Sequence, residues 1–234
     1  MPGKRTKYTK RKSYKAFKLA PRVRKIITSM EEKKHQYISI YNATALNSVP
    51  IGTSWGIYNL MCNWNQFTTS EGGGIAQGSD FNQRIGERIK VLSNEITLKI
   101  SPVTANVSNE GGTTCRVVIF LDREPHFALA AGGTVFNTND ILGQQNLTQK
   151  SRFQIIKDFV HVMVPLTANG GTKLSSGPMF LQKFKINKKF TMQYSGTAGI
   201  TNTINKYALC IAVVADGASC CGFDVQNQIT YTDD

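Results

Sequence analysis

The chain has 234 residues, of which 41% are hydrophobic, and it carries a formal net charge of +13 at pH 7. This length fits one large domain or two small ones, and the apolar content is sufficient for a full hydrophobic core. No apolar run reaches the roughly 18 residues of a membrane span. No apolar stretch follows the N-terminal charges either, so we expect neither a transmembrane helix nor a secretory signal.

The first element of the chain is a cationic segment, residues 1–25, which we call the basic arm. It contains eleven Lys or Arg and no Asp or Glu, whereas the rest of the chain holds 17 basic and 15 acidic side chains. The chain is therefore a nearly neutral body with a cationic arm, which is expected to be disordered because it cannot bury enough apolar surface alone. The arm cations are Lys4, Arg5, Lys7, Lys10, Arg11, Lys12, Lys15, Lys18, Arg22, Arg24 and Lys25.

Such an arm is typical of segments that bind nucleic-acid phosphates without sequence specificity, through counterion release. Tyr8, Tyr14 and Phe17 add aromatic rings that can stack on unpaired bases. The alternatives are a solvated tail or a nuclear-import signal such as KRTKYTKRK. Eleven cations without an acid exceed what import needs, so we favour phosphate binding, with an import signal overlapping it.

The next element is a predicted short helix. Past Pro21, apolar side chains recur at the spacing i, i+3, i+4 and i+7 from Val23 to Met30, and the last turn runs into Glu31 and Glu32. A helix this short is marginal in isolation and needs a partner surface.

From residue 35 onward the apolar period changes to two, which indicates β-strands rich in aromatic and β-branched residues. Turn-rich segments separate them, and no alternation with helices is visible beyond a short turn near residues 137–145. This pattern predicts an all-β two-sheet sandwich or barrel, formed as one body over residues 26–234. The predicted strands are residues 35–43, 55–64, 88–101, 114–123, 152–165, 179–194, 206–216 and 223–232.

The cysteines and histidines do not form a chemical site in the sequence. Five cysteines, with no CxxC spacing, argue against a disulfide framework and a zinc finger, and the adjacent pair Cys220 and Cys221 is interpreted as reduced thiols at a strand end. His35, His126 and His161 lack metal-binding spacing, and His161 is interpreted as a sheet residue. We therefore expect no enzyme.

The Gly-rich stretch EGGGIAQG, residues 71–78, does not match a dinucleotide-binding fingerprint, and no helix pattern follows it. We interpret it as a mobile surface loop. Trp55, Tyr58 and Trp64 are interpreted as core residues.

Four segments together resemble a known family. They are VRKIITSMEEKKHQYISI, IAQGSDFNQRIGERIKVLSNEITLKI, RFQIIKDFVHVMV and the final ITYTDD, in this order and spacing. The most specific part is QGSDFNQRIGERIKVLS, residues 77–93, a polar turn that leads straight into a basic strand. The segments resemble the satellite tobacco necrosis virus coat proteins and the related single jelly-roll capsid proteins of circular Rep-encoding (circo-like) single-stranded DNA viruses.

The resemblance implies an eight-stranded single jelly roll that self-assembles into a T=1 icosahedral shell of about sixty copies, with the basic arm inside. On the order of 660 arm charges would then face the cavity, enough to neutralise much of a genome of roughly 10³ nucleotides. We favour single-stranded DNA over RNA, since KRTKYTKRKSYK resembles the arms of circular DNA virus capsids. The chain would occur in the virion, and in the host nucleus or cytoplasm during assembly.

The resemblance also implies a calcium site at subunit contacts, although no cofactor is required. By position, Glu31 and Asp233 match two family carboxylates, and the carbonyls of Ile85 and Arg88 would add oxygen ligands. A second family site uses an acid where this chain has Ser79, which argues against that site. The alternative for both carboxylates is a solvated helix end and tail.

Further interpretations remain open for the polar turn and for the function. Arg84 and Arg88 are expected to form ion pairs with Asp80 and Glu87 or to face a neighbouring subunit, with a contact to nucleic acid as the alternative. The rival functions are a cellular, ribosomal-type nucleic-acid-binding protein with a basic tail, and a lectin-like or cupin-like jelly roll.

Overall fold

A computed structural model describes residues 32–41, 48–65, 70–102, 113–163, 179–217 and 221–234. Residues 33–234 form one unit by their internal contacts, and residues 1–32 form another. The basic arm, the predicted helix and Glu31 lie outside the described residues, and the proposed boundary after residue 25 stays a prediction.

Thirteen strands make up the described body, together with a single helical turn α1 (Gly132–Val135) and two 3-10 turns (Leu147–Gln149 and Thr201–Thr203). No helix among the described residues is long and apolar enough to cross a membrane. The strands are β1 (Lys34–Tyr41), β2 (Val49–Pro50), β3 (Gly56–Asn59), β4 (Cys62–Asn65), β5 (Ser70–Gly74), β6 (Arg88–Pro102), β7 (Thr113–Asp122), β8 (Phe153–Met163), β9 (Phe180–Ile186), β10 (Phe190–Tyr194), β11 (Ile204–Lys206), β12 (Ala208–Ala215) and β13 (Cys221–Asp233).

The strands form two sheets. The large sheet has the order β11-β10-β6-β13-β1-β4-β5, with β9 also paired to β6 and β2 to β13. Its centre is the long antiparallel pair β6–β13, and β9 and β10 pair with successive halves of β6. The small sheet has the order β3-β12-β7-β8.

The path of the chain between the sheets is that of a jelly roll. The main strands of the large sheet are β1, β6, β9 with β10, and β13, whereas β3, β7, β8 and β12 form the small sheet. Apart from β7 and β8, which are neighbours in one sheet, consecutive main strands lie in opposite sheets. The eight-stranded jelly-roll prediction is therefore confirmed, with β9 and β10 acting together as one strand.

The hydrophobic core lies between the facing sides of the two sheets. In β6, Ile96, Leu98 and Ile100 are buried, while the alternating residues point to the opposite face. This follows from the period-two pattern, since one face of an antiparallel sheet packs against the core. Every residue of β12 is buried, so that strand is covered on both faces.

Two predicted strands are broken in the structure. Residues 55–64 split into β3 and β4, which lie in different sheets, because the chain turns at Leu60 and Met61. The side chain of Asn59 accepts a hydrogen bond from the Met61 amide at 2.9 Å and donates to Thr201 Oγ1 at 2.8 Å. Residues 179–194 split into β9 and β10 at the polar sequence 187–189.

The Gly-rich stretch is not simply a surface loop, so that interpretation is wrong for its inner part. Ser70–Gly74 is β5, which pairs with β4, and Gly74 and Ile75 are buried. A Cβ atom on Gly74 would lie 2.1 Å from the carbonyl oxygen of Gly199 and 2.4 Å from that of Met61. Backbone packs directly against backbone here, which only glycine permits.

The single helical turn lies just before the segment where a short turn was predicted. The helix is α1; residues 137–142 form bends and a turn, and Gln145 forms an isolated β-bridge with Phe136. The prediction for Trp55 is confirmed, since it is 7% exposed, and Tyr58 and Trp64 are half-buried and pack edge-on against each other. His161 lies in β8, as expected, with its ring against Phe180.

Candidate assembly site

The turn between β5 and β6, residues 75–87, is organised by a fully buried arginine. Arg84 is 0% exposed. Its Nε donates to the carbonyl of Ile75 at 3.2 Å, and its Nη atoms donate to the carbonyls of Gly86 and Gly196. The guanidinium group therefore ties the two ends of its own turn to the loop after β10.

The charge of Arg84 is also stabilised by a neighbouring ring. Its Cζ lies 4.2 Å from the centroid of Tyr194, in a cation–π arrangement. Burial lowers the pKa of Arg84 from its ordinary value, yet a guanidinium group remains protonated in proteins. Burial raises the pKa of Tyr194 and of Tyr231, so both phenols stay neutral beside it. Arg84 is thus a fixed internal cation that holds the turn.

These contacts correct the ion-pair interpretation of the turn. None of the ion pairs among the described residues joins Arg84 or Arg88 to Asp80 or Glu87. Arg84 instead binds carbonyl oxygens, so the prediction was wrong about its partners although right that it fixes the turn. Arg88 is exposed at the start of β6.

Backbone hydrogen bonds close the same turn and direct two apolar side chains outward. The Arg84 amide donates to the Ala76 carbonyl and the Gly78 amide donates to the Arg84 carbonyl, each at 3.0 Å. Phe81 and Ile85 are nevertheless 65% and 67% exposed. The turn therefore presents apolar surface on a backbone that is already ordered.

The first strand, the C-terminal strand and this turn meet at Asp233. Lys34 Nζ lies 2.7 Å from Asp233 Oδ2 and donates to the Gln83 carbonyl at 2.8 Å. The Ile85 amide donates to Asp233 Oδ1 at 3.1 Å. The Lys34 side chain is only 6% exposed, so this ion pair is well shielded from solvent.

The same contacts argue against calcium at Asp233 within one chain. Both carboxylate oxygens already accept hydrogen bonds, and one of them faces the Lys34 ammonium group, which would repel a divalent cation. The Ile85 carbonyl accepts from Gln77 Nε2, and among the described residues no cluster of three or more His, Cys, Asp or Glu could hold a metal. Within one chain Asp233 is thus already paired, and because Glu31 lies outside the described residues the calcium site at Glu31 and Asp233 stays an untested prediction.

A second ordered loop, residues 136–150, lies over the small sheet. Arg116 of β7 donates to the carbonyls of Ile141 at 3.0 Å and Gly143 at 2.8 Å. Leu142 and Leu147 in this loop are 80% and 77% exposed, the two most exposed large apolar side chains in the described part of the chain. Like the 75–87 turn, the loop is held by an arginine side chain that binds its carbonyl groups, and it exposes apolar side chains to solvent.

These exposed apolar residues were not among the site residues predicted from the sequence. Phe81 and Ile85 lie within SDFNQRIGE, and Leu142 and Leu147 lie within NDILGQQNLT. The sequence signal that could have indicated them is the occurrence of isolated apolar residues inside polar, turn-rich segments. The predicted nucleic-acid-binding cations of the basic arm lie outside the described residues, so no geometry bears on them.

Comparison with known proteins places this architecture in a family. The family model described as satellite tobacco necrosis virus coat protein matches residues 4–234. The chain belongs to this family. The match covers both the described body and most of the basic arm, as the sequence resemblance implied.

Two relatives support the assignment at low identity. The coat protein of satellite tobacco necrosis virus 2 is 25% identical over 236 aligned residues, which cover 100% of each chain. The capsid protein of satellite tobacco necrosis virus 1 is 27% identical over 137 residues. That alignment spans 58% of this chain and 58% of the relative.

Among solved structures, the empty head of turnip yellow mosaic virus aligns over 97% of this chain and 90% of its own, with 11% identity and a TM-score of 0.31. A score this low carries no structural argument, so the jelly-roll assignment rests on the strand order above.

Proposed function

We propose that this chain is a viral coat protein that self-assembles into a small icosahedral shell and packages a single-stranded genome through its basic arm. The family relatives are named capsid protein and coat protein, which supports a structural role without catalysis. The observation that carries the assembly proposal is the exposure of large apolar side chains on two ordered loops.

Subunit contacts of this kind follow from ordinary packing energetics. Phe81, Ile85, Leu142 and Leu147 are each at least 65% exposed. Burying one such side chain fully contributes about 1.5–3 kcal/mol. Because Arg84 and Arg116 already hold the two loops, little conformational entropy remains to be lost on contact. A closed shell of about sixty copies repeats each contact in every subunit.

The basic arm contributes an electrostatic attraction to the genome, in addition to the apolar contacts between subunits. Its eleven cations would release counterions from genome phosphates, which favours packaging at low salt and weakens it at high salt. We propose DNA rather than RNA as the genome, on the composition of the arm alone. The protein would act in the virion and pass through the host nucleus or cytoplasm during assembly.

The proposal is tested by electron microscopy of three full-length proteins, each with its nucleic-acid content measured by ultraviolet absorbance. The unmodified chain should form uniform small shells that contain nucleic acid. A variant with all eleven arm cations changed to Gln should give empty, altered or no shells. A variant with Phe81→Ser and Ile85→Ser should remain folded by circular dichroism but fail to form shells.

Two controls make the test decisive. Lys157→Gln, an exposed change on β8, should leave shells and nucleic-acid content unchanged. Digestion of the extracted nucleic acid with DNase and RNase separates the two genome types. A monodisperse monomer from the unmodified chain under all salt conditions would sink the assembly proposal and favour a cellular nucleic-acid-binding protein.

A further inference from the structure

A cleft of about 510 Å³ opens on the outer face of the large sheet, away from the core. It crosses the four adjacent strands β9, β6, β13 and β1, and we call it the sheet cleft. Its polar and aromatic lining includes Tyr37, Thr97, Lys183, Lys185, Gln226 and Gln228.

The strand register arranges this lining in two parallel rows. In the first row Lys185 pairs with Glu95, Glu95 with Gln228, and Gln228 with Tyr37. Three strand spacings separate the ends of the row, or roughly 14 Å. One side of the cleft is therefore cationic, the other is aromatic, and amide and carboxylate groups lie between them.

In the second row Lys183 pairs with Thr97, Thr97 with Gln226, and Gln226 with Ser39. Residues two apart in a strand share a face, so this row lies directly beside the first. Lys183 and Lys185 thus form one cationic edge, and Gln226 and Gln228 form one amide strip.

Tyr37 presents a largely bare ring at the other side of the cleft. It is 68% exposed, and none of the ring contacts among the described residues involves it. An exposed ring on a sheet face is a suitable surface for stacking an unpaired base. Amide side chains beside it offer both donors and acceptors to base edges.

The charges of the cleft favour an anionic group near Lys183. Lys185 forms an ion pair with Glu95 at 2.5 Å, and both side chains are about half exposed. Among the described residues, no ion pair involves Lys183. Lys183 therefore keeps its charge available for an incoming phosphate.

We propose that the sheet cleft binds a nucleotide of single-stranded nucleic acid. The base stacks on Tyr37, its edge meets Gln226 and Gln228, and a phosphate lies against Lys183. This is a second nucleic-acid-binding site, on the folded body rather than on the basic arm. Base and phosphate are common to DNA and RNA, so the cleft chemistry applies to both.

A site for one nucleotide binds weakly by itself. The inference therefore rests on the proposed function, in which the basic arm binds the same nucleic acid. Lys25, the last cation of the basic arm, precedes Tyr37 by twelve residues in the sequence. Because the arm and the cleft belong to one chain, a nucleic-acid strand that the arm holds stays tethered to this protein, which raises its effective concentration at the cleft. The cleft would then order a stretch of genome that the arm only attracts.

The test is photochemical cross-linking of the full-length protein to oligonucleotides of about eight residues that carry one 5-iodouracil. One probe is oligodeoxythymidylate and the other is oligouridylate, which distinguishes DNA from RNA. Cross-linked peptides are then identified by mass spectrometry. We expect a cross-link at Tyr37, in addition to cross-links in the basic arm.

Matched variants separate specific binding from general attraction. Lys183→Gln and Gln228→Ala should lower the Tyr37 cross-link by roughly fivefold or more, whereas Tyr37→Phe, which keeps an aromatic ring, should retain it. Lys157→Gln should have no effect. Tyr41, which is 45% exposed on the same face of β1 but does not line the cleft, is the internal reference and should cross-link far less.

Two results would overturn the inference: cross-links confined to residues 1–25, or equal yields at Tyr37 and Tyr41 that Lys183→Gln leaves unchanged. Failure of the proposed function has a different signature. An absence of shells and of arm cross-links, with the Tyr37 cross-link present and sensitive to Lys183→Gln, would leave the cleft standing and remove genome packaging by the arm.

Discussion

The two sheets of the sandwich differ in their outer faces. The centre of the small sheet is covered, since residues 136–150 lie over it and Val118 and Phe120 of β7 are fully buried, whereas Val160 and Val162 of its edge strand β8 are exposed. The large sheet has a polar outer face, on which Gln226 and Lys183 are exposed to solvent. The small sheet is therefore buried on both faces at its central strands β7 and β12, whereas the large sheet has one buried face and one face exposed to solvent.

This difference indicates a different role for each of the two sheets. The covered sheet supports an ordered loop that carries Leu142 and Leu147, residues that we assign to subunit contact. The open sheet keeps a row of polar side chains and Tyr37, which we assign to nucleic acid. Substitutions of the buried residues between the small sheet and its covering loop should thus affect stability, while those on the open face of the large sheet should affect binding.

The largest expected effect is the loss of Trp55, which joins the cover to the small sheet. Its ring stacks on Phe136 with centroids 3.9 Å apart, and its Nε1 donates to the Thr138 carbonyl at 3.2 Å. Trp55→Ala should lower the free energy of unfolding by about 3–5 kcal/mol, through a cavity and a lost hydrogen bond. Urea unfolding followed by circular dichroism measures it.

The matched control for Trp55 is Tyr37→Ala on the open face. It should change the free energy of unfolding by no more than about 0.5 kcal/mol, because Tyr37 is 68% exposed. Equal losses in the two variants would mean that the outer faces of the sheets do not differ in the way described.

A smaller difference in the free energy of unfolding is expected between variants of two ion pairs, one on each sheet. Arg116 binds both carboxylate oxygens of Asp158, at 2.9 and 2.6 Å, and also two carbonyls of the covering loop. Arg116→Met should cost about 2–3 kcal/mol of unfolding free energy, since it leaves acceptors without their donor. Lys99 pairs with Asp224 at 3.1 Å on the open face with 40% of its side chain exposed, so Lys99→Met should cost at most about 1 kcal/mol.

The decrease in the free energy of unfolding is measured for both variants by urea titration. If Lys99→Met proved as costly as Arg116→Met, the covering loop would add nothing to the Arg116 contacts. In that case residues 136–150 would not be held from below, and their role as an ordered contact loop would lose its support.

The main strands were predictable from the sequence because one buried face imposes a period of two. Residues 88–101 and 114–123 were predicted as strands, and β6 and β7 begin and end within one residue of those bounds. The resemblance implied a jelly roll, but the order of strands in the sheets is seen only in the structure, because alternation alone does not say which strands pair. A local pattern determines a strand, whereas partners far away in the chain determine its neighbours.

The parts that could not be predicted depend on contacts between distant residues. The break between β3 and β4 involves Asn59 and Thr201, which are 142 residues apart. Arg84 is buried because its acceptors include the carbonyl of Gly196, 112 residues away. In the sequence Arg84 has acidic neighbours, and an ion pair was the reasonable local expectation. Only the folded chain places carbonyl oxygens and the Tyr194 ring around it instead.

The smallest expected effect concerns His161, where β8 of the small sheet approaches β9 of the large one. Its ring lies 4.1 Å from the centroid of Phe180, and burial lowers the pKa of His161 from its ordinary value of about 6.5. The unfolded chain therefore binds a proton here more readily than the folded chain. The contribution of neutral His161 to the free energy of unfolding should therefore be fully present above about pH 6.5. It should be lost as the pH falls through this value.

The loss from His161 should be small, because the ring keeps partial contact with water. Urea titrations at several pH values on either side of the ordinary histidine pKa measure it, with His161→Phe as the comparison. The variant keeps the aromatic contact to Phe180 and removes the titrating group, so its stability should depend less on pH. An unchanged pH slope in His161→Phe would show that protonation of His161 does not weaken the contact between the two sheet edges.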